Sequence, residues 1–150
     1  MILYPIETVV PHRGSLRLID AVLHWDEDSI IVGLEVPADG VFALPGGVPG
    51  WIGIEYMAQA IAAWAGCRAR RDGRQPPLGF LLGSRRYSSR VALFPSGSAL
   101  RVYARRELMG DNGLGMFACR IEAGDATWAE ANVSVFEPAD PQAYLESGRE

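Results

Sequence analysis

From Trp51 to Cys67 apolar residues occupy nearly every face of a helical wheel, the pattern of a helix enclosed on all sides rather than one with a wet face. Pro49 and Gly50 mark its start, because Pro is tolerated in a first helical turn, and Gly73 followed by Pro76 and Pro77 marks its stop. On either side the pattern is that of strands. Leu16 to Trp25 and Ser29 to Val36 read as a hairpin closed by the acidic turn Asp26-Glu27-Asp28. After the helix come Leu78 to Tyr87, Ser98 to Leu108, Leu114 to Ile121 and Thr127 to Phe136, with turns at Pro95-Ser96-Gly97, Gly110 to Gly113 and Gly124-Asp125. Tyr4 to Pro11 allows one helical turn, and Asp39 to Pro49 is a Gly/Pro-rich loop leading into the helix. Two strands, one long helix and four strands do not alternate as a doubly wound sheet requires. The expected architecture is therefore α+β, an antiparallel sheet of about six strands wrapped around one long central helix.

Polar exceptions on that apolar helix are few. Glu55 is the only charged residue between Asp39 and Arg68, and Gln59 lies one turn further along the same face. A lone carboxyl in apolar surroundings is expected to be buried, which favours its protonated form. A glutamate early in a helix can simply complement the macrodipole, but the start at Pro49 puts Glu55 past the first turn, where that effect fades. Trp51, Tyr56, Met57 and Trp64 are core or dimer-interface residues by default, and His24 beside the acidic turn suits a solvated or cross-strand role. Gly46-Gly47 is followed by no Lys-Ser/Thr and fits no nucleotide fingerprint, so it reads as a turn.

A chain of 150 residues suits one domain, with 139–150 expected to be a loosely ordered tail. Its net charge of −4 and its lack of a base-stacking motif argue against nucleic acid as a partner. Two cysteines, Cys67 and Cys119, are too few for a disulfide scaffold and fit a reducing compartment, so the cytoplasm is expected. No charged-then-apolar leader opens the chain, and the helix is too polar for a convincing membrane span.

At Val48-Pro49-Gly50, followed by Glu55-Tyr56-Met57-Ala58-Gln59, the chain resembles the Pro-Gly and Glu-x-Met-Ala-Gln signature of the hotdog-fold beta-hydroxyacyl-(acyl carrier protein) dehydratases. Pro11-His12-Arg13 and Leu16 to Asp20 are similar to that family's amino-terminal Pro-His-Arg and apolar-Asp segment, and the strand order agrees along nearly the whole chain. More narrowly, Leu44-Pro45-Gly46-Gly47-Val48-Pro49-Gly50-Trp51 and Leu81-Leu82-Gly83 look like the dehydratase-like proteins of aryl polyene biosynthesis.

The resemblance implies loss of water from a 3-hydroxyacyl thioester. That chemistry needs a base for the proton beside the carbonyl and an acid for the departing hydroxyl. Glu55 is the implied acid. Amides near Gly50 and Trp51, at the positive end of the helix, are the implied donors to the thioester oxygen. Pro49, Gly50, Trp51 and Gln59 make up the expected substrate-binding set, Gln59 as an orienting hydrogen-bond partner. No metal and no resident cofactor are expected, since the substrate is carried on the phosphopantetheine of an acyl carrier protein. One departure matters. The family carries its histidine in a His-Phe-Pro-Gly loop, and counting back from Glu55 puts Val41 at that place and Phe42 after it. His12 is the alternative base.

Ten arginines from Arg68 to Arg106 gather after the helix and along the later strands: Arg68, Arg70, Arg71, Arg74, Arg85, Arg86, Arg90, Arg101, Arg105 and Arg106. About half are expected to satisfy the negative helix end or stand as solvated sheet positions, and the remainder would suit an acidic acyl carrier protein. The working unit is expected to be a dimer, either a homodimer or a heterodimer with a second hotdog dehydratase that brings the missing histidine. A hotdog thioesterase using Glu55, or a non-catalytic acyl-binding subunit, are the alternatives.

Overall fold

A computed structural model describes residues 2–75 and 80–137, without the side chains of 80–82 and 85. The expected stop at Pro76-Pro77, the strand start at Leu78 and the tail 139–150 lie outside the described residues. Short 3-10 turns at Ile6–Thr8 and Gly14–Leu16 precede β1 (Ala21–Trp25) and β2 (Ser29–Glu35). Then come β3 (Gly47–Pro49), a 3-10 turn at Gly50–Ile52, and α1 (Gly53–Arg71). The chain continues through β4 (Phe80–Ser89), β5 (Leu93–Pro95), β6 (Ala99–Met109), β7 (Leu114–Ala123) and β8 (Ala126–Phe136).

Six strands form one antiparallel sheet in the order β1-β2-β6-β7-β8-β4, and α1 packs across its inner face. Alternation along β6 decides which face is which: Leu100, Val102 and Ala104 are buried while Arg101, Tyr103 and Arg105 point the other way. From the helix, Tyr56, Met57, Trp64 and Cys67 meet that inner surface. Trp64 packs edge-on against Phe117 with ring centroids 5.3 Å apart, and its indole N–H donates to the Asp26 carbonyl at 3.1 Å. A buried indole therefore keeps a hydrogen-bond partner.

Three differences from the sequence reading have physical causes. Leu16 to Asp20 is not strand, and β1 begins only at Ala21. The Gln59 side chain takes the Leu18 N–H and the Leu16 carbonyl, both at 2.8 Å, so that stretch is held by a side chain instead of a neighbouring strand. The strands also include a separate pair, β3 with β5, which the sequence pattern does not announce because each is three residues long. Finally, α1 is not enclosed on all sides. Ile54, Glu55, Ala58, Ala62 and Ala65 are only half-buried and share one stripe.

The helix stops where Gly73 is expected to stop it. Gly73 has φ of 70°, the Arg74 N–H bonds back to the Ala69 carbonyl at 2.8 Å and the Gly73 N–H to Arg70 at 3.2 Å, a Schellman closure. Its last turn is docked onto the acidic β1–β2 turn. Arg68 meets Glu27 at 3.3 Å, Arg71 bridges Glu27 and Asp72, and Arg106 of β6 meets Asp28 at 2.6 Å. The Arg71 hydrogen bond holds the Glu27 carboxyl below the usual carboxylate range. No described helix is long and apolar enough to cross a membrane.

Candidate active site

The start of α1 brings the sequence candidates together. Glu55 is the third residue of α1 and therefore lies in its first turn, not past it as expected, because the α-helix proper begins at Gly53 after the 3-10 turn. The positive helix end thus acts on it directly. Nor is it buried: its side chain is 36% exposed, at the rim of a depression of about 300 Å³. Leu16, Phe42, Trp51, Ile52 and Ile54 supply apolar walls, and His12 is the other polar lining residue. Trp51 stands out at 65% exposed, whereas Tyr56, Met57 and Trp64 are core.

Gln59, 0% exposed, fixes Glu55 from behind. Its amide nitrogen donates to Glu55 Oε1 at 3.2 Å as well as to the Leu16 carbonyl, and its oxygen accepts from the Leu18 N–H. It therefore reaches the depression only through Glu55. His12, carried after the first 3-10 turn, sits with Nε2 3.7 Å from Glu55 Oε1. Its Nδ1 is buried and has no hydrogen-bond partner among the described residues. Arg13 donates to the carbonyls of Val10 and His12, which ties this segment to itself.

The expected donor pair is only half present. The Gly50 N–H is already bonded to the Ala92 carbonyl at 2.8 Å, because β3 pairs with β5 and carries Gly50 against the chain that follows. Pro49 faces Leu93 in that pairing and starts the turn, with φ of −55°. The Trp51 N–H, next in line, has no hydrogen-bond partner among the described residues. Val41, expected at the place of the family's histidine, does not line the Glu55 depression. It lines a second cavity of about 230 Å³, with Arg17 and Tyr56, which shares Phe42 and Ile52 with the first. His24 lies 3.6 Å from Asp26, half-buried on the hairpin.

Sequence reasoning misses Tyr87 of β4, whose hydroxyl donates to the Gly50 carbonyl. The two are 37 residues apart, and no local pattern links them.

Six strands curled over one helix, with a carboxyl and a histidine at the helix start, define a hotdog protein. A solved structure agrees: the dehydratase heterocomplex ApeI:P from Xenorhabdus doucetiae superposes with a TM-score of 0.86 at 25% identity, covering 98% of this chain and 99% of that one. The family model of the ApeP-like proteins, described as ApeP dehydratase, matches residues 4–146, and the chain belongs to that family. It is a dehydratase, a lyase, of the hotdog class related to aryl polyene biosynthesis. Two further structures share the fold alone. One is a Streptococcus mutans protein bound to acetyl CoA, with TM-score 0.64, 15% identity and coverage of 85% and 93%. The other is a hypothetical thioesterase protein with coenzyme A from Streptococcus pneumoniae, with TM-score 0.60, 11% identity and coverage of 77% and 83%. No curated protein matches the chain.

Proposed function

We propose that this dehydratase supplies the Glu55 half of a site for 3-hydroxyacyl thioesters on an acyl carrier protein, and that a second hotdog dehydratase chain supplies a histidine. The observation that carries the reading is Glu55 at the helix start, held by Gln59 and facing the apolar depression. Glu55 protonates the departing hydroxyl, which leaves as water, while the base takes the proton beside the carbonyl and the double bond forms. The cycle closes when that proton returns from the base to Glu55. Support for the partner comes from the heterocomplex named for the Xenorhabdus doucetiae structure and from Val41 at the histidine place. The half-buried alanine stripe of α1 and the exposed Trp51 suit a neighbouring helix and chain. Free, buried Cys67 and Cys119 fit a cytoplasmic setting.

A second reading takes His12 as the base in the same chain, and the 3.7 Å approach to Glu55 favours it. Rates of 3-hydroxyacyl carrier protein dehydration, measured with the chain alone and mixed with the nearest-encoded histidine-bearing hotdog protein of its host, separate the two. Glu55→Gln is expected to lower the rate at least about a hundredfold. His12→Gln is expected to leave the mixture active, and loss equal to that of Glu55→Gln would transfer the base to His12. Release of free acid instead of an enoyl thioester would make the chain a thioesterase.

A further inference from the structure

The Trp51 amide, the expected donor to the thioester oxygen, is one end of a peptide group whose other end is gripped from β4. Gly50 C=O and Trp51 N–H belong to the same peptide plane. The carbonyl accepts the Tyr87 hydroxyl and the Gly53 N–H, while the amide hydrogen, at the start of the helix, is left without a partner among the described residues. Two hydrogen bonds to a carbonyl oxygen draw electron density towards it and make the amide hydrogen of the same peptide a stronger donor. They also fix the plane, so the N–H keeps one direction. The residues around this contact are built to admit it. A Cβ on Gly53 would stand 2.1 Å from the Tyr87 hydroxyl, and one on Gly50 would stand 2.5 Å from the Val91 carbonyl. Burial raises the Tyr87 pKa to about 12, so the hydroxyl keeps the proton it donates.

We propose that Tyr87 is a positioning residue for the dehydration, acting through the Gly50–Trp51 peptide to orient and strengthen the Trp51 N–H that receives the thioester oxygen. This rests on the reading of the helix start as the thioester site. Because negative charge grows on that oxygen only as the proton beside the carbonyl leaves, the contribution falls on the transition state. Tyr87→Phe is expected to lower kcat about tenfold with KM unchanged, a fraction of the loss seen when an oxyanion donor itself is removed. Tyr103→Phe removes a hydroxyl from the outer face of the sheet and is expected to leave kcat as it was.

The decisive measurement is the infrared carbonyl stretch of 13C-labelled butyryl-pantetheine, a thioester with no 3-hydroxyl to lose, bound to whichever sample, the chain alone or the mixture, carries the dehydratase activity. In the unaltered protein the stretch is expected to lie below its value in water, and Tyr87→Phe to bring it part of the way back at equal occupancy. A purely structural hydroxyl would change the melting temperature and leave the stretch alone. An unchanged stretch with unchanged kcat overturns the role of Tyr87, even where Glu55→Gln is inactive. A stretch that is not lowered in the unaltered protein overturns the thioester site itself, which is a separate failure from that of Tyr87.

Discussion

At the scale of single residues, Gln59 shows how one side chain serves both fold and site. It is wholly enclosed and holds the 16–18 segment by two backbone hydrogen bonds, and the same nitrogen steadies Glu55. Gln59→Leu would fill the space but strand the Leu18 N–H and the Leu16 carbonyl, at about 1–3 kcal/mol for each buried group left unpaired. The expected result is a lower urea midpoint together with a weaker Glu55. A variant as stable as the unaltered chain would mean that water replaces the amide. Glu55→Gln, by contrast, changes a part-exposed group and is expected to melt where the unaltered chain does. The residue pair was legible in the sequence as a single polar stripe on an apolar helix. Its three-way bonding was not, because the 16–18 segment lies more than forty positions away along the chain.

Among the elements, the β1–β2 hairpin carries a pH dependence. Asp26 Oδ1 accepts the N–H groups of Asp28 and Ser29 and the Ser29 hydroxyl. The backbone hydrogen bond from Asp28, more than any other contact, holds its carboxyl below the ordinary value of 3.8. A carboxyl whose folded pKa is lowered stabilises the fold fully above its unfolded value and loses that contribution as the pH falls through the folded one. Asp26→Ala is therefore expected to cost about 1 kcal/mol at neutral pH, the scale of one net hydrogen bond. Denaturant melts should show that cost shrinking below pH 3.8. A constant difference across the acid range would mean that the turn is held by its backbone alone. The hairpin itself could be read from its acidic turn, whereas the docking of Arg68, Arg71 and Arg106 on that turn required the helix end and β6 to be placed beside it.

For the whole molecule, the question is what covers the open stripe of α1 and the exposed Trp51. Half-buried alanines at 58, 62 and 65 permit a close approach by another helix, and β1 and β4 are the edge strands of the sheet among the described residues. The chain is expected to sediment as a homodimer by itself and as a mixed assembly when a histidine-bearing hotdog dehydratase from its host is added. Trp51→Glu should weaken either assembly while leaving the far-UV spectrum unchanged. A chain that stays monomeric in both samples would remove the shared-site reading. Of the arginines that could meet an acidic carrier, Arg68, Arg71, Arg74, Arg101 and Arg106 are already paired with carboxylates of this chain.

The sequence by itself determined the order of elements, the single long helix, the family signature and the placing of Glu55 with Gln59 on one helical face. These depend on periods of two and 3.6 residues and on short motifs, which are local. Only the tertiary structure decided that His12 stands beside Glu55, that the Gly50 amide is spent on Ala92, and that Tyr87 grips the peptide leading to Trp51. Each of these contacts joins segments far apart in the chain, and a hydrogen bond across such a distance exists only after the helix has settled on the sheet.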